Sequence, residues 1–243
     1  MVEDTKEVAR FLQEYLNKDK IILLGHSFGT YIGILAAQQA PELFHAYVGM
    51  AQIIAQLESE KIAYSYMIER LRGKGEKKLM KKMASFDIRR KDYLPKEYIP
   101  LRNKVMHDLG IGTMYMMNSV VKGIFFPVMR FKGYNLREKI TLWKANQALL
   151  KHTNLWDDVM KDNLMDKIKS IDLPLYLLHG SHDFTVNYQL AKSFFKEVEA
   201  PVNGFYTFTE SAHSPIFEEP ERFMMIMITD VLNQRTDHAD SFR

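Results

Sequence analysis

The sequence predicts an α/β fold in which helices cover a parallel sheet. Short, uninterrupted apolar runs are typical of strands buried on both faces of such a sheet. Segments with helical periodicity separate these runs, and this alternation is the pattern of β-α-β units with parallel crossovers. The predicted strands, about four in number, lie at residues 21–24, 44–50, 174–180 and 204–208.

The elements of the first 50 residues are predicted by periodicity. Apolar side chains at helical spacing indicate a first helix that covers one face of the sheet, and they are Val8, Phe11, Leu12, Tyr15 and Leu16. The strand at 21–24 follows, then an Ala- and Leu-rich helix at 30–39 that ends before Pro41, then the strand at 44–50.

Residues 51–169 have a different pattern, with abundant Met and aromatic residues and charges at helical spacing. We interpret them as a helical insertion, within which Gly73 and Gly75 separate two solvated helices. The sheet pattern returns with the strand at 174–180, a helix at 188–198, the strand at 204–208 and a closing helix at 218–232. The polar tail from Arg235 is expected to fray. The predicted division is a core of 1–50 and 170–243 with the insertion at 51–169.

Composition excludes several classes of function. The 243 residues are 47% hydrophobic, which is enough for one domain with an insertion. Basic residues number 33 and acidic residues 30, so binding to nucleic acid is not indicated. The chain has no cysteine, which excludes disulfides and thiol catalysis, and we predict neither a metal nor a cofactor. Without a membrane span or a basic leader, a cytoplasmic protein is expected.

The segment Gly25-His26-Ser27-Phe28-Gly29 fits the pattern G-x-S-x-G between a predicted strand and a predicted helix. The pattern alone occurs often by chance, but this context is the one in which it holds a serine on a sharp turn. Both glycines are predicted to allow close backbone approach. The turn would also direct backbone N–H groups towards the space beside the hydroxyl, where an oxyanion could bind.

Two further residues complete a catalytic set. A serine hydroxyl needs a base to accept its proton and a carboxylate to orient that base. Asp183 follows the strand at 174–180, and His213 follows the strand at 204–208. The order Ser, Asp, His distinguishes this arrangement from the two other common serine-hydrolase orders. All three residues fall at the carboxyl ends of parallel strands, where open sheets build their sites.

Each residue has an alternative interpretation. Asp183 is also placed to cap the helix that follows it. His182 competes with His213 as the base, although its neighbour Asp183 would then leave no acid to orient it. His26, beside the serine, is interpreted as a packing residue.

Together these motifs resemble the α/β-hydrolase family over the whole chain. The G-x-S-x-G segment, the all-helical insertion and the run at 213–221, His-Ser-Pro-Ile-Phe-Glu-Glu-Pro-Glu, are most similar to the proline-iminopeptidase-like members. The resemblance implies an α/β-hydrolase core with a helical cap. It also implies Ser27 as nucleophile, His213 as base and then acid, Asp183 as orienting acid, and the Phe28 N–H as one oxyanion donor.

The chain departs from the family pattern at its start. Family members carry about four strands ahead of the serine turn, and a loop there, often His-Gly-Gly-x-Pro-Gly, supplies the second oxyanion donor. Neither those strands nor that loop is found in the 243 residues. We therefore expect the chain to be the C-terminal part of a longer hydrolase, whose missing part could include a signal or anchor. The strand at 21–24 would then be an exposed edge open to pairing.

The sequence leaves two functions open. The first is a serine hydrolase that cleaves a carboxylic ester or a small peptide amide through an acyl-enzyme. The second is an inactive or partner-dependent fragment that acts as a binding module.

The substrate site is also left open. Tyr115, Met116, Trp143 and Trp156 are interpreted either as an apolar substrate pocket or as core. An aminopeptidase would need an acidic group in the insertion for the substrate amine, and the sequence does not choose among Glu58, Glu60, Glu69, Asp157 and Asp158.

Overall fold

The computed structural model describes residues 1–117, 119–142 and 154–241. Four parallel strands form one sheet in the order β1-β2-β3-β4. This confirms the predicted α/β class and the four strands. The strands are β1 (Ile21–His26), β2 (Phe44–Met50), β3 (Leu175–Gly180) and β4 (Asn203–Phe208).

The register brings the four carboxyl ends to one edge of the sheet. His26 pairs with Met50, Met50 with Leu178, and Gly180 with Phe208. Parallel strands in this register end side by side, so the turns that follow them form a single loop cluster. We call residues 181–187 the Asp183 loop and residues 209–214 the His213 loop.

Helices cover both faces of the sheet. One face packs on α1 (Val2–Leu16), α2 (Phe28–Gln39) and α9 (Tyr188–Glu197). The opposite face, which includes Val48 and Tyr206, packs on α11 (Pro220–Ile226) and the turn of π-helix after it. Alternate residues of each strand thus enter two different cores.

In the insertion, the described residues form helices and one isolated bridge, Ile111 with Tyr115. The division at 50/51 and 169/170 stays a prediction. None of the helices described is both long enough and apolar enough to span a bilayer. The helices are α3 (Gln56–Gly73), α4 (Lys77–Ala84), α5 (Tyr98–Asp108), α6 (Phe126–Arg130), α7 (Leu155–Lys161) and α8 (Leu164–Lys167), and α10 (Pro215–Glu218) follows β4.

The prediction for the apolar face of the first helix is wrong. The buried side of α1 is formed by Ala9, whereas Phe11 and Tyr15 are 61% and 75% exposed. Strand β1 is likewise half-buried rather than buried on both faces, because among the described residues it pairs with β2 alone. The predicted exposed edge is therefore present, and Phe11 and Tyr15 of α1 lie exposed as well.

The C-terminal region differs in two ways from its prediction. The closing helix at 218–232 is interrupted, because Pro220 begins a separate helix after α10 and a π-helical turn covers Met227–Val231. The tail is not frayed through Asp240. The Asp240 carboxylate accepts a hydrogen bond from the Thr207 N–H at 3.0 Å, and the Asp240 N–H donates to Phe205 O at 2.8 Å. These two bonds attach the tail to β4.

Candidate active site

Ser27 lies on the turn between β1 and α2 in a strained backbone conformation, with φ 54° and ψ −121°. A Cβ at Gly25 would lie 2.6 Å from Gly29 O, so glycine is required there. A Cβ at Gly29 would contact nothing within 4 Å, so the prediction that both glycines are needed is wrong for Gly29. The Ser27 N–H donates to Met50 O at 3.0 Å, which fixes the turn to β2.

The N-terminus of α2 faces the same loop cluster. Phe28 is the first residue of this helix, and the first N–H groups of a helix have no partner within it. Thr30 holds the turn, because its hydroxyl donates to Ser27 O at 2.5 Å and accepts from the Ile53 N–H at 2.9 Å. The Phe28 N–H thus lies at the positively polarised end of α2, next to Ser27.

The structure brings Asp183 and His213 together. His213 Nδ1 lies 2.9 Å from Asp183 Oδ2, and both side chains are buried. Backbone bonds tie the two loops: the Ser181 N–H donates to Phe208 O at 2.9 Å and the His182 N–H to Ser211 O at 3.1 Å. Asp183 and His213, which are 30 residues apart in the chain, therefore meet at one end of the sheet.

The close approach of the two loops depends on Gly180. A Cβ at this position would lie 1.9 Å from Ala212 O and 2.5 Å from Ser211 O. No side chain fits in that space, which explains a glycine at the end of β3.

The alternative in which Asp183 caps the next helix is wrong. Asn187 is the N-cap of α9, and its side chain accepts from the Leu190 N–H at 3.0 Å. Asp183 instead uses Oδ1 to accept from the N–H groups of Thr185 and Val186, at 2.8 and 2.9 Å. Its other oxygen is left for histidine.

A second histidine contacts the same oxygen, and the sequence reasoning missed it. His179 is fully buried, with Nε2 3.4 Å from Asp183 Oδ2 and 3.1 Å from Val186 O. Burial raises the pKa of Asp183, but the charge of His213 and the hydrogen bonds from His179 and His213 outweigh it and hold that pKa well below its usual range. The sequence signal that could have indicated His179 is its position directly before Gly180, at the end of a predicted strand.

The rival base His182 is directed elsewhere. Its ring stacks on Tyr115, with centroids 3.8 Å apart and planes inclined by 10°. The carboxylate of Asp183 is bonded to His213 instead.

Ser27 and His213 lie on neighbouring loops, yet the described structure contains no hydrogen bond between their side chains. The link between these loops is His26, whose Nε2–H donates to His213 O at 2.7 Å, with the two rings 5.1 Å apart. Burial, followed by the charge of His213, lowers the pKa of His26. A neutral imidazole suits this single donor role. His26 therefore does more than pack.

A cavity of about 1030 Å³ opens among helices of the insertion. Of the four residues predicted for a substrate pocket, Trp156 is on its wall, Tyr115 and Met116 are outside the described lining, and Trp143 lies outside the described residues. The described part of the chain also contains no group of three or more His, Asp or Glu side chains placed to hold a metal ion.

Two of the five acidic residues proposed for an amine line this cavity, Glu60 and Asp157. Glu60 is buried and forms a bidentate ion pair with Arg102, at 2.7 and 2.9 Å, so its charge is already neutralised. Glu58 is paired with Lys61 at 2.7 Å. Of the five, Asp157, exposed on α7, is the one that combines access to the cavity with an exposed carboxylate; Asp92 and Glu97, outside that set, are exposed and line the cavity as well.

Comparison with known proteins agrees with this architecture. The sequence profile of the alpha/beta hydrolase fold matches residues 2–90. The probable aminopeptidase YbaC of Bacillus subtilis (strain 168) is 27% identical over 229 residues, which are 91% of this chain and 68% of that protein.

Solved structures share the fold at low sequence identity. The proline iminopeptidase of Mycobacterium smegmatis has a TM-score of 0.59 at 13% identity, covering 91% of this chain and 68% of its own. VinJ has a TM-score of 0.52 at 18% identity, with coverages of 93% and 70%. The esterase EaEST of Exiguobacterium antarcticum has a TM-score of 0.51 at 15% identity, with coverages of 96% and 72%. On its sheet, its strand-end loops and these similarities, the chain has the α/β-hydrolase fold.

Proposed function

We propose that this protein is a serine hydrolase that forms an acyl-enzyme on Ser27. The observation that carries the proposal is the 2.9 Å bond between His213 Nδ1 and the buried Asp183, on loops adjoining the Ser27 turn. Ser27 Oγ attacks the substrate carbonyl carbon while His213 Nε2 takes its proton. His213 then gives that proton to the departing alcohol or amine, and water releases the acyl group by the reverse sequence.

Two further groups act in this mechanism. Asp183 keeps the proton of His213 on Nδ1, so that Nε2 is free to accept. The Phe28 N–H at the start of α2 stabilises the oxyanion. We expect the Ser27 hydroxyl and His213 to form their hydrogen bond when substrate binds, because catalytic bonds of a free enzyme are often long and tighten in the complex.

Labelling with a fluorophosphonate tests this proposal. We expect the probe to label Ser27, because phosphonylation needs the same activated hydroxyl, and labelling should disappear in Ser27→Ala and His213→Ala. Ser65→Ala, on the exposed side of α3, is the matched control and should label as the unaltered protein does. Equal labelling of the Ser27→Ala variant, or none in a folded sample of the unaltered protein, would contradict the proposal.

For the substrate class, we propose a small peptide amide with a free amine, with a carboxylic ester as the alternative. The exposed carboxylate of Asp157 at the cavity supports an amine-bearing substrate, and the similarity to a probable aminopeptidase agrees with it. The test compares the hydrolysis rates of amino-acid p-nitroanilides, beginning with proline p-nitroanilide, with those of p-nitrophenyl esters. Asp157→Asn should raise KM for the anilide and leave KM for the ester unchanged, with exposed Asp158→Asn as control.

We also propose that a β-strand from a longer form of this polypeptide pairs with the edge of β1. The edge is unpaired in the described structure, and Leu24 on β1 is exposed, as are Phe11 and Tyr15 on α1. An unpaired apolar edge favours strand addition. The alternative function, a partner-dependent binding module, depends on the same edge.

The coding sequence upstream tests this pairing. We expect in-frame sequence that encodes further strands and a glycine-rich loop of the His-Gly-Gly type, which would also supply the second oxyanion donor. A stop codon directly upstream, together with a monomeric and soluble protein by light scattering, would contradict the proposal.

A further inference from the structure

Glu218, at the end of α10, accepts hydrogen bonds from both backbone neighbours of His213. The Ala212 N–H lies 3.2 Å from each of its carboxylate oxygens, and the Ser214 N–H lies 3.0 Å from Oε2. The carboxylate therefore holds the residue before and the residue after the proposed base. Hydrogen bonds to a charged acceptor are shorter and stronger than neutral ones.

The same carboxylate reaches the insertion. Its Oε1 also accepts from the N–H of Tyr115, a residue 103 positions away in the chain. The ring of Tyr115 stacks on His182, which immediately precedes Asp183. Tyr115 thus contacts the Asp183 loop directly and is linked to the His213 loop through Glu218.

The neighbouring Glu219 offers an internal comparison. It uses one oxygen, Oε1, to accept from the Glu210 N–H at 3.0 Å and from the Ser211 hydroxyl at 2.7 Å. Glu218 uses both oxygens for three backbone donors. An amide in place of Glu219 keeps the one oxygen required, whereas an amide in place of Glu218 turns an NH₂ group towards a backbone N–H.

We propose that Glu218 is the positioning residue of His213 and that, through Tyr115, it makes the orientation of the base dependent on the insertion. The inference rests on the proposed function, because it concerns the base of that reaction. Glu218 acts through the backbone of residues 212–214. Loss of this anchor lets the imidazole move relative to Asp183 and Ser27.

Proton NMR of the free protein tests this inference, together with kinetics. The His213 Nδ1 proton, bonded to Asp183, should give a resonance far downfield in the unaltered protein. We expect Glu218→Gln to broaden or remove it, and to lower kcat roughly tenfold to a hundredfold with KM little changed, because a displacement of about 1 Å costs that much. Glu219→Gln, the matched control, should keep both the resonance and kcat.

The outcomes separate this inference from the proposed function. A wild-type resonance that depends on Glu218 in a protein without hydrolase activity would support the positioning role and refute the function. An active enzyme whose resonance and kcat are the same in Glu218→Gln would overturn the inference. Glu218→Asp, which keeps the charge but draws the oxygens back, should give intermediate values. Values for Glu218→Asp equal to those of the unaltered protein would overturn the inference even where Glu218→Gln does not fold.

Discussion

We expect Asp183→Asn to lower kcat by roughly 10⁴-fold while the fold stays almost unchanged. Oδ1 of this side chain accepts from two backbone N–H groups, at 2.8 and 2.9 Å. Asparagine must keep its oxygen there, so its NH₂ group faces His213 Nδ1. His213 Nδ1 must then accept a hydrogen bond from this NH₂ group, so the imidazole proton moves to Nε2. The imidazole can then no longer take a proton from Ser27.

The effect is measured as kcat on a p-nitrophenyl ester and as the rate of fluorophosphonate labelling of Ser27. Asp172→Asn is the matched control, since this exposed aspartate lies just before β3. It should leave both rates within about twofold of the unaltered protein. A kcat of Asp183→Asn within tenfold of the unaltered value would show that Asp183 does not orient the base.

Gly180→Ala is expected to lower the free energy of unfolding by about 3 kcal/mol, and to abolish labelling of Ser27. The new methyl group would lie 1.9 Å from Ala212 O, a backbone atom that cannot rotate away as a side chain can. The His213 loop must therefore move off β3, which breaks the bond between His213 and Asp183. Urea unfolding and probe labelling measure the two effects.

Gly73→Ala serves as the control for this change. A Cβ at the last residue of α3 contacts nothing within 4 Å, so alanine should be neutral or slightly stabilising there. Gly180→Ala with normal stability and normal labelling would contradict the argument that this glycine permits the loops to meet.

Local patterns were sufficient to predict the class of fold. Each strand is a short apolar run, and three of the four are buried through most of their length, so the run itself carries the signal. The break between α3 and α4 was also local, since Gly73 and Gly75 lie at it. The turn at Ser27 was visible for the same reason, because the strained serine and Gly25 are only two positions apart in the chain.

Errors arose where burial depends on neighbours distant in sequence. The apolar stripe of α1 has the spacing of a covered face, yet Phe11 and Tyr15 are exposed because no described residue lies over them. The tail from Arg235 is polar, yet Asp240 is held by β4 through hydrogen bonds that composition does not reveal.

The sequence by itself determined the α/β class of the fold. It also determined that Ser27, Asp183 and His213, in that order along the chain, each follow the end of a strand. Only the tertiary structure decided that Asp183 bonds to His213 rather than capping α9, that His179 shares its carboxylate, and that Glu218 joins the His213 loop to Tyr115. The physical reason is that strand and turn patterns are set by adjacent residues, whereas a hydrogen bond between loops 30 or 103 residues apart exists only once the parallel strands have aligned their carboxyl ends.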